Sequence, residues 1–153
     1  SHPCKELIWT VIANKDITTN NYPYRYYYTD TSSSVTSYKN PILSASIEMN
    51  GYKRIDTQDG KYYNYVQPYQ HHSNTPSAGI NVYSFAIYPE EHQPSGSCNM
   101  SKISYVILQL TFLDDYVTDV VTTNSDTFTI KVYSINYNVL RVMRGMGGLA
   151  FAF

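Results

Sequence analysis

The apolar residues of this chain recur with a period of two, in short runs separated by turn residues. Between Ile42 and Met49 apolar and polar side chains alternate, as they do in a strand with one face on a core and one in water. Asn50-Gly51 follows at once, and both residues tolerate the positive φ of a tight hairpin. Nowhere does a helical i, i+3, i+4, i+7 pattern persist over three turns. The sequence therefore predicts an all-β fold of antiparallel strands.

Other segments extend this prediction. Further strands are expected at residues 7–13, 80–88 and 103–113, with one long or bent strand at 127–143. The run Tyr62–Val66 is predicted to be a short edge strand that ends at Pro68. Loops are expected at residues 18–40, 71–79, 89–102 and 114–126, and the first of them could include a short strand through its tyrosines. About six strands with uneven loops and no strand–helix alternation favour an antiparallel sandwich.

The composition excludes several classes of protein. With 153 residues the chain can bury a core of its own, so disorder is not expected. Its formal net charge is -1 and 15% of its residues are charged, so we expect no nucleic-acid partner. No apolar run approaches the ~20 residues of a membrane helix, so we expect no direct membrane insertion. Because residue 1 is Ser1 and a strand pattern begins almost at once, we expect a fragment or a processed chain.

The candidate metal ligands are His71, His72 and His92 with Glu90 and Glu91. A zinc or iron site needs three such groups to converge. Adjacent side chains of an extended segment point in opposite directions, and the His-x-His pattern of the cupins is absent. We therefore expect solvated loop histidines and no metal.

Residues 95–98 place hydroxyls and a thiol near His92, but no Gly-x-Ser-x-Gly motif accompanies them, so neither a nucleophile nor any other catalytic group is expected. Residues 145–148 resemble a phosphate-binding loop, yet too few residues follow for a helix. A packing turn is the better interpretation, and no cofactor is expected. Gly96 and Gly147 are predicted to be intolerant of valine if their turns require positive φ.

Cys4 and Cys98 could form a disulfide, but for two cysteines so far apart in the sequence we expect reduced, buried thiols. Asn99 lies in a formal glycosylation sequon, and without a sign of secretion its modification is not expected. The chain holds 17 tyrosines, many of them in the 18–40 region. Tyrosine gives amphipathic contact area at low entropic cost, which suits sugars or protein partners. We favour protein contacts.

Three stretches match one family pattern. Residues 83–103 follow Tyr-Ser-Phe-Ala-Leu-x-Pro-Glu-Glu-His-Gln-Pro-Ser-Gly-x-Cys-Asn-Phe-Ser-Arg-Ile except at Ile87, Met100 and Lys102. The others are residues 2–9, and residues 135–143 with 145–151. Together they resemble the major capsid proteins of large icosahedral double-stranded DNA viruses, the group of the iridoviruses, phycodnaviruses, mimiviruses and asfarviruses. The signature residues are Tyr83, Ser84, Phe85, Pro89, Glu90, Glu91, His92, Gln93, Pro94, Ser95, Gly96, Cys98, Asn99, Ser101, Asn136, Tyr137, Asn138, Gly145, Gly147 and Gly148.

The resemblance implies a structural virion protein and not an enzyme. Such proteins are double jelly rolls, and three chains close into a pseudo-hexameric capsomer of the icosahedral shell. The expected partners are two further copies of the chain, neighbouring capsomers and minor capsid proteins. The expected locations are the virion, and the host cytoplasm or viral factory during assembly. Residues 1–153 would be the later portion of the second jelly roll, without its first strands and without the first jelly roll.

One alternative stays open on the residues alone. A jelly-roll carbohydrate-binding protein, or a minor capsid or accessory protein, could use the tyrosines to stack on sugars. In the structural interpretation the 18–40 region instead contributes contacts within or between capsomers.

Overall fold

The computed structural model describes residues 2–18, 26–30 and 37–151, and within these ranges the chain is built mainly of antiparallel strands. The helices are short: α1 (Asn14–Thr18), α2 (Gln67–His71) and α3 (Asp114–Val117), with π-helical turns at Tyr62–Val66 and Thr118–Thr123 and a 3-10 turn at Met100–Lys102. The strands are β1 (Pro3–Ala13), β2 (Tyr28–Asp30), β3 (Ser37–Lys39), β4 (Ile42–Met49), β5 (Tyr52–Asp59), β6 (Ile80–Ser84), β7 (Cys98–Asn99), β8 (Val106–Phe112), β9 (Phe128–Asn136), β10 (Leu140–Met143) and β11 (Met146–Leu149).

β1 is the central strand of the first sheet. One of its edges pairs with β6 along residues 6–10, and with β7 through Pro3 and Cys4. The other edge pairs with β9 along residues 4–13. A strand hydrogen-bonded on both edges must be free of internal proline and covered on its faces. β1 has proline only at its first residue and a nearly continuous apolar run from Leu7 to Ala13.

The second sheet has the strand order β5-β4-β8 and is also antiparallel. Asn50 and Gly51 form the β4–β5 turn with φ of 51° and 82°, the positive values that a two-residue type I′ turn requires. A similar turn at Arg144 and Gly145 joins β10 to β11 with φ of 51° and 79°. β2 and β3 form a separate two-stranded pair.

Residues of both sheets share one buried core. The alternate residues Trp9, Val11 and Ala13 of β1 enter it, as the period of two requires. The Trp9 ring meets the Tyr63 ring edge-on, with the ring centroids 5.1 Å apart. The buried cluster consists of Trp9, Val11, Ala13, Ile42, Ala45, Ile47, Tyr63, Tyr83, Tyr116 and Val120.

The all-β, antiparallel prediction is confirmed. The strand predicted at residues 42–49 has those bounds in the structure, and its hairpin turn lies at Asn50-Gly51 as predicted. The strand predicted at 7–13 is part of β1, which begins earlier, at Pro3.

Three predicted strands are longer than the observed ones. The strand predicted at 80–88 ends at Ser84, because the Ser84 hydroxyl accepts from the Ala86 N–H and donates to the Ala86 carbonyl, which turns the chain. The strand predicted at 103–113 is the shorter β8. The strand predicted at 127–143 divides into β9 and β10, and the side chain of Asn138 binds main-chain groups at the break.

Two predicted elements are wrong. Tyr62–Val66 is a π-helical turn that leads into α2, not an edge strand. There the Tyr63 hydroxyl donates to the Ala45 carbonyl at 3.0 Å, and Asn64 Nδ2 donates to the carbonyls of Ser77 and Ile80. These tertiary contacts override the β propensity of the tyrosines.

The predicted loop at 114–126 is largely helical, in α3 and the turn Thr118–Thr123. Tyr116 and Val120, four residues apart, both reach the buried core. Burial raises the pKa of the Tyr116 phenol to about 12, with smaller contributions from nearby aspartates.

The region predicted as a loop at 18–40 is only partly described. Within it β2 pairs with β3, so that portion is extended and hydrogen-bonded. Tyr22 and Tyr24 lie outside the described residues. Across the described ranges no helix is both long and apolar enough to cross a membrane.

Trp9→Ala should destabilise the fold by about 3–5 kcal/mol, because it removes a fully buried ring from the centre of the core. Leu43→Ala, on the neighbouring sheet but 47% exposed, is the matched control and should cost less than about 1 kcal/mol. Urea denaturation of both variants measures the difference. Equal losses of unfolding free energy in the two variants would show that Trp9 is not at the centre of the core.

Candidate assembly surface and signature connection

Residues 83–103, which lead from the end of β6 to the approach of β8, are called here the signature connection. The connection starts inside the core, where the rings of Tyr83 and Phe85 meet edge-on with centroids 5.1 Å apart. Burial raises the pKa of the Tyr83 phenol, and the neighbouring Arg54 guanidinium offsets part of that effect. The tyrosine hydroxyl therefore stays protonated near neutral pH.

The main chain of β1 fixes the beginning of the signature connection. The N–H groups of Phe85 and Ala86 both donate to the Lys5 carbonyl, at 2.8 and 3.2 Å. The Ser84 N–H donates to the Gln67 Oε1 atom at 3.0 Å. Ser84 and Ala86 are buried, so these bonds satisfy main-chain donors that have little access to water.

Ser95 closes the connection upon itself. Its hydroxyl accepts from the Tyr88 N–H at 2.9 Å and donates to the Tyr88 carbonyl at 3.2 Å. Its own carbonyl accepts from the Ile87 N–H at 3.4 Å. The hydroxyl that the sequence offers as a nucleophile is thus engaged with the main chain as donor and as acceptor.

The residue after this serine, Gly96, lies where the main chain requires a glycine. Its φ is 144°, and a Cβ atom added there would lie 2.8 Å from the Phe85 carbonyl oxygen. By contrast, Gly147 lies in β11, does not have a positive φ, and would meet nothing within 4 Å of an added Cβ. The residues with positive φ in the adjoining turn are Arg144 and Gly145. The condition on which Gly147 was predicted to be intolerant of valine is therefore not met.

The two glutamates of the signature connection contact different parts of the chain. The Ser73 N–H donates to Glu90 Oε2 at 3.0 Å, and hydrogen bonding by Ser73 lowers the pKa of the Glu90 carboxyl. The main-chain oxygen of Glu91 accepts from the ammonium of Lys5 at 3.1 Å. That ammonium also lies 4.8 Å from the centroid of the Tyr137 ring, a cation–π contact.

The two adjacent histidines have separate roles. His71 Nδ1 donates to the Ile87 carbonyl at 2.9 Å. His72 Nε2 donates to Glu6 Oε2 at 2.7 Å, and the two side chains are only 13% and 5% exposed. His72 is therefore not the solvated loop histidine that the sequence predicted. Nothing in the local sequence marks this pair, because Glu6 is distant in the chain.

The candidate metal ligands do not assemble into a site. Within residues 2–18, 26–30 and 37–151, no three His, Cys, Asp or Glu side chains are placed to hold a metal ion. His92 is exposed on the outside of the signature connection. Of the candidate ligands, His71 and Glu90 instead form hydrogen bonds that join the signature connection to the end of α2 and the segment that follows it.

The end of the signature connection returns to β1. Pro3 pairs with Asn99 and Cys4 pairs with Cys98, and both thiols are free. Asn99 is exposed, and its Oδ1 atom accepts from the Ser101 N–H at 3.1 Å at the start of the 3-10 turn.

The third family stretch meets the same end of β1. The Tyr137 N–H donates to the Pro3 carbonyl at 2.8 Å. Asn138 Oδ1 accepts from the N–H groups of Val139 and Phe151, and its Nδ2 donates to the Phe151 carbonyl at 3.0 Å. Asn136 Nδ2 donates to the hydroxyl of a neighbouring serine at 3.2 Å. All three stretches of the family pattern therefore converge on residues 3–6.

Several strands have an unpaired edge within the described residues, and those of β8 and β9 are called here the open edges. β8 pairs there with β4 alone, and β9 with β1 alone. Ile130 and Val132 of β9 are opposite Val11 and Trp9, so they share the face of the sheet that bears the core. Both are nevertheless exposed. The second sheet thus leaves part of this apolar face uncovered.

The hairpin of β10 and β11, called here the terminal hairpin, is exposed along its whole length. The Ala150 N–H donates to the Val139 carbonyl at its base. A two-stranded hairpin without a covered face has little stability in water, and large exposed apolar patches mark interaction surfaces. Its exposed apolar side chains are Leu140, Val142, Met143, Met146 and Leu149.

Three tyrosines of the 18–40 region contact other aromatic rings. Tyr27 meets Tyr38 edge-on at 4.7 Å between centroids, and Tyr28 meets Tyr116 at 5.9 Å. A cleft of about 330 Å³ beside Tyr38 is also lined by Tyr65 and charged side chains. Of these rings, the exposed Tyr38 and the half-buried Tyr27 form part of the surface available to a partner.

Gly96→Ala should destabilise the fold by about 1–3 kcal/mol, because an L side chain is strained at that φ and clashes with a main-chain oxygen. Gly147→Ala is the control and should change the unfolding free energy by no more than about 0.5 kcal/mol. Chemical denaturation measures both. A tolerated Gly96→Ala would show that the connection can relax.

His72→Ala should cost about 3 kcal/mol, because it leaves the buried Glu6 carboxylate without its partner. His71→Ala, the adjacent control, loses one hydrogen bond and should cost about 1 kcal/mol or less. Thermal and urea unfolding at neutral pH separate the two. If both variants lost the same unfolding free energy, the His72–Glu6 contact would contribute no more to stability than the hydrogen bond of His71.

Comparison with known proteins agrees with these features. The family model described as large eukaryotic DNA virus major capsid protein matches residues 1–148. The chain is 50% identical over 114 residues to the major capsid protein of Phaeocystis pouchetii virus, covering 74% of this chain and 21% of that protein. It is 39% identical over 175 residues to that of Pyramimonas orientalis virus, covering 99% of this chain and 37% of that protein.

A solved structure agrees as well. The PBCV-1 virus capsid aligns with a TM-score of 0.73 and 31% identity, over 99% of this chain and 44% of the capsid chain. This likeness confirms the jelly-roll prediction. The chain spans less than half the length of each of these relatives. The sequence and the fold together place the chain in the family of large eukaryotic DNA virus major capsid proteins.

Proposed function

We propose that this chain is part of a structural subunit of a virion, which builds an icosahedral shell by self-association. The observation that carries the proposal is the family match over residues 1–148. This function needs a rigid body with defined surfaces and no catalytic group or cofactor. The net charge of -1 is compatible with it, because identical subunits packed side by side repel one another if each is highly charged. The virion is its location, after assembly in the host cytoplasm or a viral factory.

The proposal includes the domain assignment: residues 1–153 are the later portion of the second of two jelly rolls. The chain covers less than half of the length of these relatives, which supports its being one part of such a protein. The open edges support it too. An exposed, apolar edge strand such as β9 invites wrong pairing, and native sheets normally pair or cover such edges. Further strands of the longer protein would pair with β8 and β9.

Three copies of the longer protein are proposed to close into a pseudo-hexameric capsomer, which contacts neighbouring capsomers and minor capsid proteins. The terminal hairpin supports contacts of this kind, because its apolar side chains are uncovered on both faces. The described tyrosines around Tyr27 and Tyr38 give the 18–40 region a similar capacity.

The full-length gene product should elute as a trimer, with three times the monomer mass by size-exclusion chromatography and light scattering. Leu140→Ser with Val142→Ser should weaken the trimer while the circular dichroism spectrum is unchanged. Tyr52→Ser with Tyr69→Ser, at even more exposed sites outside the hairpin, is the control and should leave the mass unchanged. A stable monomer of the wild-type protein would overturn the capsomer proposal.

A further inference from the structure

Cys4 and Cys98 lie directly opposite each other on the antiparallel strands β1 and β7. Opposed residues of such a pair have Cα atoms about 4.5–5.5 Å apart. A disulfide needs a Cα separation of about 4.4–6.8 Å, so the strand register already meets this requirement. The two residues are far apart in the sequence, and the fold alone brings them together.

The two thiols differ in access. Cys4 is fully buried, and its thiol donates to the Glu6 carbonyl at 3.2 Å. Cys98 is half-buried, so a small molecule in solution can reach it. We propose that Cys4 and Cys98 form a cross-strand disulfide when the folded protein meets a small-molecule disulfide such as glutathione disulfide.

The exchange has two steps, and both begin at a thiolate. Cys98 loses its proton and attacks one sulfur of glutathione disulfide, whose S–S bond breaks to release one glutathione thiolate. Cys4 then loses its proton and attacks the Cys98 sulfur of the mixed disulfide, which releases the second glutathione. The two cysteine protons end on the two glutathione thiols. The cysteines are oxidised by two electrons, and glutathione disulfide is reduced by two.

The local environment of each thiol determines which cysteine reacts first and how fast the exchange proceeds. Burial raises the pKa of the Cys4 thiol to about 11. Burial also raises the pKa of Cys98, but the Arg54 guanidinium lowers it in part. Cys98 is therefore both the more accessible and the better activated thiol. Little thiolate is present at neutral pH, so the exchange proceeds slowly there.

The disulfide would stabilise the short pairing of β7 with β1. β7 has only two residues, and both of its pairings with β1 lie at this point. A disulfide there would hold the end of the signature connection against the central strand. It would also close a long loop of the unfolded chain, which lowers the entropy of that state.

The test uses the full-length gene product, incubated at pH 8.5 with either glutathione disulfide or dithiothreitol. Peptide mapping without reduction should find a peptide containing Cys4 joined to one containing Cys98, lighter than the two separate peptides by two hydrogen atoms. The melting temperature of the oxidised protein should exceed that of the reduced protein by roughly 5–10 °C. Because this compares one protein in two states, it needs no variant that folds poorly.

Cys98→Ser is the control, since its half-buried position tolerates a hydroxyl better than the Cys4 site. This variant should give no linked peptide and the same melting temperature in both buffers. Three results would overturn the proposal. The first is glutathione retained on Cys98 as the final product, and the second is a disulfide between two chains. The third is a Cys98 thiol that still reacts with an alkylating reagent in the folded protein after incubation with glutathione disulfide, although the denatured protein forms the disulfide under the same conditions.

Discussion

The main-chain groups at the start of β1 are the constraint on which the rest of the structure depends. The Lys5 carbonyl receives the two N–H groups that begin the signature connection, and the Pro3 carbonyl receives the N–H of Tyr137. Between them, the pairing of Cys4 with Cys98 holds the end of the same connection. Since β1 also pairs with β6 and β9, a shift of this strand by one residue would move every one of these contacts.

Buried charge makes this arrangement specific. Lys5 and Glu6 are adjacent and both buried, in a chain with few charges overall. A buried charge is costly unless a partner is supplied. The partner of Glu6 is His72, at the end of α2, while those of Lys5 are Glu91 and the Tyr137 ring. Each charge therefore penalises any packing in which its distant segment is out of place.

The sequence was informative where a local pattern and its tertiary environment agree. Alternation at residues 42–49 and the Asn50-Gly51 turn predict β4 and its hairpin, because one face of that strand is buried and the turn needs positive φ. It was misleading at Tyr62–Val66. There the tyrosines favour a strand, but the observed helical turn lets the Tyr63 hydroxyl donate to the Ala45 carbonyl in the core.

The same distinction applies to the candidate site. The family pattern identifies Ser95 and Gly96 from their own stretch, and their roles are local: one closes the connection and the other fits where no Cβ can. The pairing of Glu6 with His72, and of Cys4 with Cys98, cannot be read from spacing, because the two residues of each pair lie far apart in the chain. Single-sequence reasoning finds residues whose partners are near in the chain.

The open edges follow from how the two sheets meet. The rings of Phe112 on β8 and Phe128 on β9 lie 4.8 Å apart between centroids, so both sheets end on the same side of the core. Strands added to both sheets on that side would pair with the open edges, and they would also cover Ile130 and Val132. A single additional layer of chain thus removes an aggregation-prone edge and completes the core, which is the physical reason to expect this portion to be stable within a longer protein.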